Sequence, residues 1–538
     1  MCGIIGLFEK SFLKNHHSVS LNHHSAKKLV KGLKLLQHRG QDAAGLLSSQ
    51  TKSDSLKLKK GPGLVSEVFS NLTEKDFCEL DGTFLLGHTR YETVGGPSEL
   101  NIPPFKTFDP QGLFNEEAHY NSLESEKTKV PLMGIVHNGN IVNYFSLKEE
   151  IEKDSKGKER ILKGQNDGEL MLRLFQSFFI EESYLSKEKG NTSSFCKVQA
   201  CMKRLSEKLE GGYALLLIIQ GVGLVAYRDP HGIRPLVFGK DERGQIGFAS
   251  ETIALEGIGY QVVREVKPGE VVLIDFDGIF QSAELVSGKG LGAGGLKEAP
   301  CMFERIYFSS SKSKIQGSFV KNTRRRLGAV LAEKILNRKN VFKSYDAVSA
   351  IPETGLDAAY GVARVLNLPM VEGVLKEKKS GRTFILPRNK RGEALKQKFI
   401  VQESNIKNKK LLLVDDSLVR GATLRSLIFE LKSKGAKELS LAFSCPPIQY
   451  GCFYGVDFPE KSELLANQKS YDEMATHLGV KDLFFLNEED LLNVFDRRSH
   501  CFGCVTKNYP TELKEGMAFA QKRSIEKDLK WTSPSLIN

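Results

Sequence analysis

Residues 410–424 read Lys-Leu-Leu-Leu-Val-Asp-Asp-Ser-Leu-Val-Arg-Gly-Ala-Thr-Leu. An apolar run long enough for one buried strand delivers two acids, Asp415 and Asp416. A short loop containing Gly421 then opens a helical pattern, LRSLIFELKSKG at 424–435. Backbone N–H groups at such a helix start bind phosphate, helped by the helix dipole. Paired carboxylates just before it suit ribose hydroxyls or an attached Mg2+. Working outward, the strand candidate DAVSAI at 346–351 precedes a second helical pattern, DAAYGVARVL at 357–366. This alternation predicts a parallel sheet with crossover helices. In such an α/β domain ligands gather at the C-terminal ends of the strands.

The first half differs in style. FLLGHTRY (84–91), LMGIVHNGNIVNYF (132–145), GGYALLLIIQGVGLVAYRD (211–229) and GEVVLIDFDGIF (269–280) are short apolar runs separated by Gly and polar turns. With the helical stretch GELMLRLFQSFFIEESYL (168–185) they predict a layered α+β domain. The Gly-rich segment LVSGKGLGAGGLKEAP (285–300) reads as a linker. Residues 110–130 and 186–196 are polar and predict surface insertions, and no internal repeat is present. A chain of 538 residues exceeds what one core organises. The predicted division is therefore 2–284, the 285–300 linker, 301–512, and a Lys-rich tail at 513–538, a peripheral helix or loose end.

Hydrophobic residues at 40% and charged residues at 26% are the balance of an ordinary globular protein. No run approaches the roughly 18 to 20 apolar residues of a bilayer span. The start lacks a basic leader and cleavage site, so the expected location is the cytoplasm. The formal charge of +12 comes from 77 basic residues spread along the chain. That reads as a solvated surface, and the same field would help a site for a polyphosphorylated small molecule; no nucleic-acid or membrane partner is expected. Nine cysteines in a reducing compartment point to catalysis or metal before disulfides. His16, His17, His23 and His24 have no Cys or carboxylate partners nearby in sequence and read as a polar surface loop.

Cys2 offers a thiol beside what becomes a free α-amine once Met1 is removed. With a reference pKa near 8, that amine can act as the base for its own thiol. The dipeptide Met-Cys alone carries little weight. Cys2-Gly3-Ile4-Ile5-Gly6, His38-Arg39-Gly40-Gln41-Asp42, Gly87-His88-Thr89-Arg90-Tyr91 and His137-Asn138-Gly139-Asn140 carry much more when they occur in that order. The four blocks resemble the class II, N-terminal-nucleophile glutamine amidotransferases over roughly residues 2–280. The resemblance implies a four-layer αββα (Ntn) glutaminase domain in which Cys2 attacks the glutamine side-chain amide, forms a thioester and releases ammonia. It implies an oxyanion hole from the Asn138 side chain and the Gly139 backbone N–H. Arg90 would hold the substrate α-carboxylate and Asp167 the α-amine.

The 410–424 stretch resembles the phosphoribosyl pyrophosphate motif of type I phosphoribosyltransferases, implying a doubly wound parallel sheet. By that resemblance Asp415 and Asp416 meet the ribose and Mg2+, with Thr354 as a metal-linked hydroxyl. Ser417, Val419, Arg420, Gly421, Ala422 and Thr423 would hold the 5-phosphate, and Lys376 and Arg382 would offer cations to the pyrophosphate. The two halves together, with Arg228–Leu236, Gly381–Ile385 and Cys452–Asp457, resemble the amidophosphoribosyltransferase family. The implied reaction displaces pyrophosphate from C1 of the ribose by ammonia, kept neutral in a dry passage. Homotetramers or homodimers inhibited by purine nucleotides are implied as well.

Cys501-Phe502-Gly503-Cys504 is a CxxC that, taken alone, suits redox chemistry or zinc. Cys301 and Cys452 add two soft ligands, and the contexts resemble the iron–sulfur branch of the family. A 4Fe-4S cluster on Cys301, Cys452, Cys501 and Cys504 is the implied cofactor beside Mg2+, with structural zinc the alternative. Cys78, Cys196, Cys201 and Cys445 read as ordinary thiols.

The chain departs from the family at two places. The usual Arg-Pro-Asp-Ser is replaced in Tyr307-Phe308-Ser309-Ser310-Ser311-Lys312-Ser313, and the usual Lys-Asn-Arg-Tyr loop by Lys376-Glu377-Lys378-Lys379-Ser380. These leave a second reading open, a phosphoribosyl pyrophosphate or nucleotide sensor with weakened transferase chemistry. Iron–sulfur members commonly carry a short propeptide. Here Cys2 directly follows Met1, which implies simple Met removal.

Overall fold

The structure, a computed structural model, describes the chain except residues 11–24, 51–54, 93–97, 108–130, 155–161, 189–192, 286–297, 339–344, 378–398, 457, 459–460, 497–498 and 533–538, and the side chains of 154, 187–188 and 524–532. Arg382, Lys378, Lys379, the four N-terminal histidines, and most of the linker and 110–130 insertion lie outside the described residues. The chain divides into two compact units. One holds Met1–Pro300, Phe453–Val456 and Pro510–Arg523, and the other holds Cys301–Cys452, Asp457–Tyr509 and Ser524–Asn538.

The first unit is built on two antiparallel sheets. Seven strands lie in the order Gln261–Glu265, Val237–Lys240, Ile246–Ala249, Gly3–Phe8, Phe84–Arg90, Ala43–Ser49 and Leu56–Pro62. Six form the second, in the order Phe280–Glu284, Glu270–Asp275, Gly223–Arg228, Gly211–Ile219, Met133–Ile141 and Phe105–Lys106. The alternation of a strand decides which side chain joins which layer. Ile4 and Phe8 enter a core shared with Val136, Leu216 and Ile274 of the other sheet. Ile5 and Leu7 pack instead against Leu29 and Leu33 of the Ser25–Leu35 helix. Helices Asp167–Glu188 and Ser194–Lys208 cover the second sheet. The result is helix, sheet, sheet, helix.

The second unit carries a parallel sheet in the order Ala347–Ala350, Lys410–Asp415, Glu438–Phe443 and Leu483–Phe485. Met370 pairs in parallel with Val348 on the far side of the first of these strands. The chain therefore steps outward from Ala347–Ala350 in one direction to Met370 and in the other to Lys410–Asp415. That reversal is a topological switch point, and it lies where Ile351 and Asp415 leave the sheet. Helices Val320–Asn337 and Leu356–Leu366 approach closely because their contact is lined with glycine. A methyl on Gly328 would come within 2.0 Å of the Ala358 carbonyl oxygen, and one on Gly361 within 2.1 Å of that of Arg325.

In the altered Ser309–Ser313 segment, Arg324 donates to the Ser309 carbonyl (2.8 Å) and the Ser311 hydroxyl (3.2 Å), and Ser311 donates to Asp357 (2.7 Å). The serines serve as local hydrogen-bonding groups. Among the described residues no helix is long and apolar enough to cross a membrane.

Candidate active sites

Cys2 sits at the head of the Gly3–Phe8 strand, beside the end of Phe84–Arg90. Pairing of Gly3 with Thr89 brings its thiol to Tyr91. The Sγ atom lies 3.5 Å from the Tyr91 nitrogen and 3.6 Å from its carbonyl oxygen. The Cys2 backbone N–H donates to Asn138 Oδ1 at 3.2 Å. The Asn138 Nδ2 atom is buried with no partner among the described residues, so its amide dipole is half spent. Burial pushes the Cys2 thiol up, against the pull of the N-terminal positive charge, the Tyr91 N–H and Arg90. A buried thiol held protonated needs a base at hand before it can attack.

One cavity is lined by Cys2, Arg90, Gly139 and Asp167, with His88, Tyr91 and His137 on its wall. Asp167, the first residue of its helix, accepts from His137 Nε2 at 2.9 Å and from the Ile141 N–H at 3.3 Å. His88 Nε2 lies 3.0 Å from the His137 carbonyl oxygen. Burial, reinforced by neighbouring His137, holds His88 well below the usual imidazole range, so it is neutral. Both histidines were in view in the sequence blocks, but His137 gains its role from a helix that starts 30 residues downstream, and no local pattern announces that.

The Cys2 main chain is held by a buried ion pair. Arg39 Nε donates to the Cys2 carbonyl oxygen at 2.9 Å, and its Nη1 meets Glu251 Oε1 at 2.7 Å, with His38 2.8 Å from the same oxygen. Burial pushes the Glu251 carboxyl up, but His38 and Arg39 outweigh it and hold the group well below the carboxylate range. Because the folded value is depressed, this stabilisation is complete above the unfolded value near 4.3 and is lost as pH falls toward the folded one. Glu251→Gln is expected to cost about 3 kcal/mol by leaving Arg39 uncompensated. In urea unfolding series, the wild type should lose stability on acidification below about pH 4.3 and the variant should lose less.

In the second unit Asp415 and Asp416 leave the switch point as expected from their strand. Asp415 Oδ1 accepts the Asp416 N–H at 2.9 Å. The Asp416 carboxylate accepts from the Thr354 hydroxyl on one oxygen and from the Ser417 hydroxyl on the other. The two strand ends are thus tied through one carboxylate. Gly421, at φ +77°, turns the loop into the Ala422–Ser433 helix, a conformation an L-residue adopts only with strain. The Val419 carbonyl oxygen accepts the Leu465 N–H at 2.9 Å. Two residues expected to meet anionic substrate are each paired with an acid: Arg420 with Glu463 at 2.8 Å, and Lys376 with Glu353 at 3.4 Å.

Cys301 pairs in parallel with Cys501, and the Cys504 carbonyl oxygen accepts from Gln449 and Tyr450, both at 3.0 Å, two residues before Cys452. The Cys504 thiol is pushed well up by burial and further by Cys452, Cys445, Cys501 and Cys301 around it. Cys445, read as an ordinary thiol, shares this neighbourhood. None of the cysteines is in a disulfide. Among the described residues no three His, Cys, Asp or Glu are arranged as metal ligands.

An N-terminal thiol in an αββα unit, followed by an acid-ended loop at the switch point of a parallel sheet, defines a glutamine amidotransferase joined to a phosphoribosyltransferase. Family models agree, a glutamine amidotransferase domain matching residues 123–257 and a phosphoribosyl transferase domain matching 321–451. Amidophosphoribosyltransferase of Pasteurella multocida is 32% identical over 98% of both chains, and that of Methanocaldococcus jannaschii is 34% identical over 95% of this chain and 98% of the other. A solved structure of the allosteric regulatory enzyme of purine biosynthesis superposes with a TM-score of 0.74 at 30% identity, covering 95% of this chain and 97% of that one. The glutamine phosphoribosylpyrophosphate amidotransferase of B. subtilis, complexed with ADP and GMP, gives 0.73 at 29%, covering 95% and 98%. The chain belongs to the amidophosphoribosyltransferase family.

Proposed function

We propose that the chain hydrolyses glutamine at Cys2 and uses the ammonia to aminate phosphoribosyl pyrophosphate, giving 5-phosphoribosylamine, glutamate and pyrophosphate, the first committed step of purine nucleotide synthesis. The observation that carries the assignment of Cys2 is the cavity that gathers its thiol with Arg90, Asp167 and Gly139, beside the unspent Asn138 Nδ2. With Met1 removed, the Cys2 α-amine accepts the thiol proton, and Sγ adds to the glutamine amide carbon. The oxygen of the tetrahedral intermediate is met by Asn138 Nδ2 and the Gly139 N–H. The amine returns its proton to the departing ammonia, and water releases glutamate from the thioester. Arg90 holds the α-carboxylate and Asp167, oriented by His137, the α-amine.

In the transferase half, Asp415 and Asp416 with the Thr354 hydroxyl form an all-oxygen donor set that suits Mg2+. When bound, the ion would neutralise the leaving pyrophosphate. Ser417, Val419, Gly421, Ala422 and Thr423 supply the loop for the 5-phosphate, and Arg420 tightens it through Glu463. Lys376 and Arg382 supply cations for the pyrophosphate. Cys301 pairs with Cys501 and Cys504 bonds to the turn before Cys452, which places soft donors in one neighbourhood without a ligand arrangement among the described residues, and the family contexts of the four favour a 4Fe-4S cluster over zinc. Such a group would tie distant segments of the second unit. Anaerobically purified protein is expected to show the broad visible absorbance of a cluster and about four iron atoms per chain; zinc in their place would reject this assignment. A cytoplasmic homo-oligomer inhibited by purine nucleotides completes the reading.

The direct test supplies phosphoribosyl pyrophosphate, Mg2+ and ammonium chloride and measures pyrophosphate and phosphoribosylamine. Release of both is expected. Glutaminase activity without pyrophosphate release would favour the sensor reading instead.

A further inference from the structure

Two stretches without a part in the chemistry so far, Arg228–Leu236 and Phe453–Val456, meet behind the oxyanion hole. The first is a turn wound around the fully buried Asp229 carboxylate. It accepts the N–H groups of His231 at 3.0 Å, Ile233 and Arg234 at 3.1 Å, and Tyr213 at 3.2 Å. This fixes Arg234, itself fully buried, so that its guanidinium donates to the Tyr454 carbonyl oxygen. The Tyr454 ring is fixed at its other end, where its hydroxyl pairs with that of Thr511 at 2.9 Å and accepts the Thr511 N–H at 3.1 Å.

The next residue, Gly455, adopts φ +101° and faces Gly139. A methyl on Gly455 would lie 3.4 Å from both Cα and C of Gly139 and 3.6 Å from Asn140 Oδ1. Gly139 itself, at φ +129°, lies against the Gly211–Ile219 strand, where a methyl would come within 2.0 Å of the Gly212 carbonyl oxygen. Gly139 thus meets both a strand and the bare backbone of Gly455. The chain lends these four residues to the first unit, between Cys452 and Asp457 of the second.

We propose that Arg234, Tyr454 and Gly455 form a brace that sets the position of the Gly139 N–H, making Gly455 a positioning residue for glutamine cleavage. The proposal rests on the assignment of Asn138 and Gly139 to the oxyanion hole. A donor aimed at a developing oxyanion works only within a few tenths of an ångström of its place. Glycine satisfies two demands at 455, a positive φ and an approach to Gly139 that leaves room for little more than a methyl.

Gly455→Ala and Gly455→Val test this by glutamine kinetics, ammonia-dependent synthesis and the rate of Cys2 alkylation by iodoacetamide, a reaction that develops no oxyanion. The glutaminase kcat should fall about tenfold for alanine and about 10²-fold for valine, within the range of losing one oxyanion donor. KM for glutamine, alkylation and the ammonia-dependent rate should hold. Wild-type kcat in both variants would overturn the brace, and so would equal losses in alkylation and ammonia use, which signify general loosening. Asn138→Ala in the same assay separates the two assignments. If it leaves kcat unchanged, the oxyanion assignment itself fails; if it lowers kcat while the Gly455 variants do not, only the brace fails.

Discussion

Replacing Cys2 with alanine is expected to lower glutamine-dependent phosphoribosylamine formation by at least about 10⁴-fold, the order associated with loss of a covalent nucleophile, while synthesis from ammonium chloride continues. The substitution removes one sulfur from a buried site whose backbone contacts, to Asn138 and Arg39, come from main-chain atoms that alanine keeps. No fold defect should accompany the loss. The Asp415 and Asp416 carboxylates belong to a different compact unit, so their chemistry does not call on the thiol. Loss of both activities, in protein with an unchanged unfolding midpoint, would refute the separation of the two sites.

The double substitution Asp415→Asn and Asp416→Asn should give the complementary result. Two negative charges vanish from the donor set, and the carboxylate that ties Thr354 to Ser417 becomes an amide with a single acceptor oxygen. The amide offers one acceptor and one donor where the carboxylate offered two acceptors, so the Thr354 link between the strand ends is weakened. Displacement of a reacting group by about 1 Å costs about 10²-fold, and loss of the charges adds to this. Phosphoribosylamine formation should therefore fall by more than about 10²-fold with either nitrogen source, while iodoacetamide labels Cys2 at the wild-type rate. Retained ammonia-dependent synthesis would show that the paired acids are not the transferase centre.

Residues whose roles depend on their own strand or loop were the ones visible in the sequence. Cys2, Asn138 and Gly139 stand in short blocks whose glycines and apolar neighbours mark strand ends, and the Asp415–Thr423 loop announces itself by acids, glycine and a following helix. The parallel sheet was legible from alternating patterns. Its switch point was not, because it rests on a single bridge between Val348 and Met370.

Roles created by distant partners left no trace. His137 matters because Asp167 arrives beside it, and Arg234 reaches a carbonyl 220 positions away. Cys445 read as an ordinary thiol because, though near Cys452 in sequence, it matches no ligand position, and its nearness to Cys301 and Cys504 is spatial. Arg420 and Lys376 carry the right charge for an anionic substrate, yet sequence does not show that Glu463 and Glu353 already engage them. The serines of 309–313 looked like a loss of family residues, whereas Arg324 and Asp357 bind them into local structure.

The central claim is that nitrogen freed at Cys2 ends on C1 of the ribose within one protein. It is tested most directly with glutamine carrying ¹⁵N in its amide, phosphoribosyl pyrophosphate and Mg2+, by measuring glutamate, pyrophosphate and the isotope content of phosphoribosylamine in a background of unlabelled ammonia. The account predicts equal amounts of glutamate and pyrophosphate, with the label retained in the amine. Glutamate released without pyrophosphate, or an amine carrying only unlabelled nitrogen, would contradict it.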